Sequence, residues 1–173
     1  MNLIIRQAKI IDPKSPNHNQ TTDILVENGI ITKIGNQLPN PDNFETLELE
    51  NLHVSQGWFD SSVSLGEPGF EDRETIANGL NTAGKSGFTA VAMQPNSFPI
   101  LDNQSSISFV KSKSAGFATD LFPIGALTKS SEGDDLAELF DMKNSGAVAF
   151  GDYNKSLSNA NSTHFLYLFI KII

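Results

Sequence analysis

The feature that most constrains this chain is a change of hydrophobic period near residue 56. Beyond it, strand-like segments alternate with helical ones. "VSQGWFDSSV" reads as a short strand, "FTAVAM" (Phe88 to Met93) as a buried one, and "AVAF" (Ala147 to Phe150) as another. "TDLFPIGAL" (Thr119 to Leu127) reads as a strand despite Pro123. Between them, Glu71 to Ser86 is helical, with Ile76, Leu80 and Ala83 on one face and Gly87 as a C-terminal stop. "SSISFVKSKS" is helical too, and Ser130 to Gly146 reads as a helix with acid in its first turn and a terminal glycine. Such alternation implies a parallel sheet built from βαβ units. A closed barrel of this kind takes about eight units and roughly 250 residues. Only about half that number is present, so the pattern predicts an open α/β sheet or half of a barrel.

Before residue 56 the chain reads as β. "NLIIRQAKII" is apolar and strand-prone. "TDILVENGIITKIG" (Thr22 to Gly35) is two apolar runs around Asn28-Gly29, a strong hairpin signal because a type I′ turn needs positive φ at both central residues. "LPNPDN" is a proline-bearing loop, and "ETLELENLHV" (Glu45 to Val54) alternates leucine with polar groups. The expected organisation is a small β-sandwich-like domain over residues 1–55 and an α/β domain over 56–173.

The 173 residues carry a net charge of −8 with a pI near 4.7. No basic stripe is available to neutralise phosphates, which argues against a nucleic-acid partner. The absence of cysteine excludes disulfides and thiolate metal sites. "MNLIIRQAKII" has only a short apolar run with charge on both sides and is not a signal peptide; a cytoplasmic setting is expected. "THFLYLFIKII" (Thr163 to Ile173) is markedly apolar but too short for a bilayer, which takes roughly 20 residues. No membrane role is expected of it; it reads as a buried segment, or as the mark of a chain cut short or altered in frame.

The order of these parts, with "GWFDSSVSLGEPGFEDRET" (Gly57 to Thr75), "QPNSFPILDN" and "GAVAFGD", resembles the dihydroorotases of the amidohydrolase superfamily. The similarity is to the long form related to multifunctional pyrimidine enzymes and runs to about Asp152. It implies the N-terminal part of a TIM-type (β/α)8 barrel preceded by a small β-sandwich, with the remaining barrel strands outside this chain. It also implies zinc and substrate at the C-terminal ends of the barrel strands.

In the family the first barrel strand carries a His-x-His pair, followed two residues on by an arginine that clamps the substrate carboxylate. Here those positions are Ser62, Ser64 and Gly66. Residues at i and i+2 on a strand share a face, so the serines keep the direction of the pair. Neutral hydroxyls are nevertheless weak zinc ligands beside imidazole. Glycine offers no bidentate fork. Asn96 aligns with an asparagine that helps bind the carboxylate, although Gln94 disturbs the usual sequence. Asp152 stands where a metal-directed carboxylate is found, with Tyr153 in place of its acidic neighbour. Each also has a plainer role: Asp60 and Asp152 as partners of backbone groups, Glu67-Pro68-Gly69 and Asn96 as turn residues. His18, His53 and His164 have no metal-ligand spacing to one another.

What the resemblance implies is therefore a dihydroorotase-like protein with its metal chemistry removed: zinc absent or weakly bound, and a structural or regulatory role beside aspartate carbamoyltransferase. A homo-oligomer is expected. The competing expectations are an active zinc-dependent cyclic amidohydrolase, with metal held by later strands, and a fragment of a disrupted gene.

Overall fold

Asn28 and Gly29 adopt φ values of 54° and 80°, the left-handed pair that a type I′ hairpin demands. They join β2 (Thr21–Glu27) to β3 (Ile30–Gly35), and β2 pairs antiparallel with β1 (Leu3–Ile11). The computed structural model describes residues 1–157. Within it the chain divides into two compact units, Met1–Gln56 and a second beginning at Gly57.

In the first unit the alternating stretch from Glu45 does not run through as one strand. It breaks into β4 (Glu45–Glu48) and β5 (His53–Ser55), separated by a turn in which Asn51 has φ 56°. Both pair in parallel with β1, giving a five-stranded sheet of order β3-β2-β1-β4 with β5 beside the end of β1. Asp23 organises a bulge in β1. Its buried carboxylate accepts from the Gln7 and Leu38 amides at 3.1 and 3.2 Å and from Arg6 Nη1 at 2.6 Å. Burial works to raise the Asp23 pKa, but these donors and the Arg6 charge outweigh it and hold the group below the usual aspartate value. Ile10, Ile24 and Val26 pack together, and Ile10 and Ile24 line a cleft of about 180 Å³ with Ile31, Ile34 and Val54. The described residues supply one sheet of the expected sandwich.

The second unit is a parallel sheet with helices between its strands. Its elements are β6 (Trp58–Val63), α1 (Ile76–Lys85), β7 (Phe88–Met93), α2 (Gln104–Lys113), β8 (Asp120–Gly125), α3 (Leu139–Asn144) and β9 (Ala149–Phe150). The strands stand in sequential order, β6-β7-β8-β9, all parallel. Sequential order is that of a barrel wall, whereas doubly wound open sheets reverse direction at a switch point. Helix α1 begins where Thr75 accepts the Asn78 amide at 3.1 Å, and α2 where Asn103 and Ser106 form a reciprocal capping box. Ile76 and Leu80 face inward to meet Val91, Met93, Ile107, Val110, Leu121 and Met142 in one core. Pro123 sits inside β8, in register with Met93, and its carbonyl accepts the Val148 amide at 3.0 Å.

The helix expected over Ser130–Gly146 is a correction: only Leu139–Asn144 is α-helical, after a short 3-10 turn at Lys129–Ser131. Ser130, Ser131 and Gly133 have positive φ. Their donors are diverted to other partners, Ser130 N–H to Asp102 Oδ2 at 3.0 Å and Gly133 N–H to Thr128 Oγ1 at 2.8 Å. A run of serine, aspartate and glycine competes for backbone groups in this way and favours turns over helix.

Candidate functional site

Strand β6 delivers its polar residues to its C-terminal end, beside the end of β7. Asp60 Oδ1 accepts the Ser62 amide at 3.0 Å, fixing the backbone ahead of both serines. Ser62 Oγ then accepts from Gln94 Nε2 at 3.1 Å, and Ser64 Oγ from Asn96 Nδ2 at 2.7 Å. The Gln94 amide donates to the Val63 carbonyl at 2.9 Å between these two rungs. Ser62, Ser64, Gln94 and Asn96 thus form a neutral ladder across the strand ends. Asn96 Oδ1 is buried and has no partner among the described residues.

Asp152, at the end of β9, is elsewhere in this arrangement. It is buried, with one carboxylate oxygen accepting the Leu127 and Thr128 amides, both at 2.9 Å, and the other accepting the Thr128 hydroxyl at 2.6 Å. It makes no bond to either serine and serves the loop after β8. Tyr153 is half-exposed, at φ 51°.

Gly66 starts a tight turn: its carbonyl accepts the Phe70 amide at 2.8 Å. A Cβ built at position 66 would stand 2.1 Å from the Phe70 carbonyl oxygen. The turn as folded would have to shift to take a side chain at the place where the family resemblance implies an arginine. Glu67, also buried, accepts the Ile76 amide at 3.0 Å at the start of α1 and pairs with Lys113 Nζ at 3.1 Å. Glu71 accepts the Gly69 amide at 2.9 Å, a bond that holds its pKa below the ordinary glutamate value.

These donors do not fit a zinc ion. The Ser62 and Ser64 oxygens are neutral hydroxyls already engaged by side-chain amides. Among the described residues no group of three or more histidine, cysteine, aspartate or glutamate side chains could hold a metal. His18 accepts the Asp12 amide at its Nδ1, and His53 Nδ1 lies 2.6 Å from the Asn51 carbonyl; both belong to the first unit. His164 and the apolar stretch Thr163–Ile173 lie outside the described residues. A cleft of about 340 Å³ lies between β6 and α1, lined by Asp60, Ser64, Glu74, Thr82 and Phe88. Ser64 is the one ladder residue that borders it.

Sequence reasoning treated Gln94 only as a disturbance and passed over Thr128 and Asp102. A signal for Gln94 was present: a side-chain amide stands directly before Pro95-Asn96, just past the end of the strand next to two unexpected serines.

Solved structures share this fold. It superposes on the L-hydantoinase (dihydropyrimidinase) of Arthrobacter aurescens with a TM-score of 0.71, 18% identity, and coverage of 86% of this chain and 32% of that one. A D-hydantoinase gives 0.70 at 16% identity over 97% of this chain and 37% of the other. What these likenesses show is the fold: residues from Gly57 onward form a wall of parallel strands of the barrel kind. The dihydro-orotase-like family matches residues 52–163, and the chain belongs to that family. Curated relatives are the dihydroorotases of Pelotomaculum thermopropionicum, 40% identical over 160 residues, and of Geobacter metallireducens, 38% identical over 162 residues. These alignments cover 92% of this chain but only 37% and 38% of the relatives' own length.

Among the described residues no helix is long and apolar enough to cross a membrane.

Proposed function

We propose that this chain is a non-catalytic dihydroorotase relative with a structural or regulatory role, its partner being an aspartate carbamoyltransferase and its setting the cytoplasm. The observation that carries the reading is the neutral ladder. Ser62 and Ser64 hydrogen-bond to Gln94 and Asn96 in place of gripping a metal. Three further features support it. Gly66 supplies no cationic side chain at the mouth of the first strand. The carboxylate of Asp152 is fully engaged by the Leu127 and Thr128 groups. The described strands and helices keep one continuous apolar core beside these positions, as expected where a fold is retained while its chemistry is relaxed.

The test is the zinc content of the natural gene product purified after growth in excess zinc, with dihydroorotate ring opening measured on the same sample. Substoichiometric zinc, no ring opening and co-elution with a carbamoyltransferase on size exclusion are the expected results. One or two zinc ions per chain together with ring opening would overturn the proposal and favour an active cyclic amidohydrolase.

A further inference from the structure

We infer that Asn28-Gly29, at the tip of the β2–β3 hairpin, is a self-modification site guarded by the two residues that precede β1. There the Asn28 side chain closes on the Gly29 nitrogen and reopens as aspartate or isoaspartate. Two Asn-Gly pairs occur in the sequence, Asn28-Gly29 and Asn78-Gly79. A glycine puts no Cβ beside its own amide nitrogen, which leaves that nitrogen open to attack the carboxamide before it. In the step, the Gly29 nitrogen bonds to Asn28 Cγ and the Cγ–Nδ2 bond breaks. Nδ2 leaves as ammonia, carrying the proton of the Gly29 amide. Water then opens the imide ring at one carbonyl or the other, giving aspartate or isoaspartate. No electrons are exchanged, and water is the co-reactant.

The fold treats the two pairs differently. Gly79 lies within α1, where its amide donates to the Thr75 carbonyl at 3.0 Å. Asn78 Nδ2 donates to Glu74 Oε1 at 2.9 Å, and a Cβ at Gly79 would stand 2.6 Å from Leu65 Cδ2. Nucleophile and leaving group are both held. At the hairpin tip, Asn28 and Gly29 are exposed, and nothing lies within 4 Å of a Cβ built at Gly29. The Asn28 carboxamide has no hydrogen-bond partner among the described residues.

What restrains this pair is its backbone. The Gly29 amide donates to the Met1 carbonyl at 2.8 Å, and the Asn28 amide to Asn2 Oδ1 at 2.7 Å. Both acceptors belong to exposed residues ahead of β1, the kind of backbone that opens at least cost. The imide ring closes only when Met1 releases the Gly29 nitrogen, so residues 1 and 2 set the rate. Either product places a negative charge beside Glu27. Isoaspartate also adds a carbon to the backbone of a two-residue loop whose I′ geometry fixes the β2–β3 register. Among the described residues β3 is the outer strand of its sheet, paired with β2, so the modified turn loosens it. The site lies in the first unit and does not depend on the non-catalytic reading.

Peptide mapping by mass spectrometry tests this on the natural chain held in warm, mildly alkaline buffer. Asn28 is expected to convert about fivefold faster than Asn78, or more, with isoaspartate among its products. Asn2→Ala removes one of the two guarding acceptors and should speed conversion at Asn28 roughly fivefold, leaving Asn78 at the parental rate. Conversion of Asn78 before Asn28, an unconverted Asn28, or aspartate without isoaspartate would overturn the site. An Asn2→Ala chain that leaves Asn28 at the parental rate, or that speeds Asn78 equally, would overturn the guard. In the isoaspartyl fraction the β3 amides should exchange faster than in the parent; unchanged exchange there would overturn the loosening of β3.

Discussion

Replacing Asp152 by alanine separates a staple from a metal ligand. The wild-type carboxylate is 6% exposed and accepts from the Leu127 amide, the Thr128 amide and the Thr128 hydroxyl. Alanine leaves two enclosed backbone donors without an acceptor, at about 1–3 kcal/mol each. The threonine hydroxyl can re-aim and adds little. Water entering the vacated space recovers part of the loss, so the net cost is about 3 kcal/mol. At roughly 2–4 °C per kcal/mol for a chain of this size, the barrel unit should melt about 6–12 °C lower. Asp152→Asn keeps one oxygen for both amides and disturbs only the contact with the Thr128 hydroxyl, costing about 1 kcal/mol. The assay is urea denaturation followed by the fluorescence of Trp58, which lies in the barrel unit. An alanine variant within about 1 kcal/mol of the parent would refute the reasoning and return Asp152 to the pool of available ligands.

Asp23 should make the first unit acid-sensitive. Its folded pKa is depressed, so the stability it contributes is present above its unfolded value of 3.8 and is lost as pH falls through the lower folded value; Asp23→Asn should flatten that part of a stability–pH curve. Gly29→Ala should cost about 1 kcal/mol purely through its left-handed φ of 80°, since nothing lies within 4 Å of the added carbon; hairpin amide exchange would show it. In a double-mutant cycle, Ser64→Ala and Asn96→Ala should couple by about 1 kcal/mol; additive effects would break the ladder argument.

The parts legible in the sequence were those set by local chemistry. Asn28-Gly29 needed only its own torsional preferences, and "FTAVAM" ends where its apolar run ends. The break between β4 and β5 was hidden because "ETLELENLHV" alternates without a pause, while β1 offers parallel pairing to its two halves at separate places. The segment from Ser130 misled because its acids suit a helix start, whereas the donors are claimed by Thr128 and by Asp102, which is distant in sequence. At the strand ends, the hydroxyls at positions 62 and 64 could be read directly. That the hydroxyls are paired with Gln94 and Asn96 depends on the β6–β7 register, which only the folded sheet sets.

The Glu67 carboxylate closes the first turn of α1, yet its charge partner, Lys113, belongs to the following helix. The same carboxylate thus answers to two neighbours at once, a backbone donor of its own repeat and a charge of the next, so the start of α1 and the end of α2 are joined through one side chain.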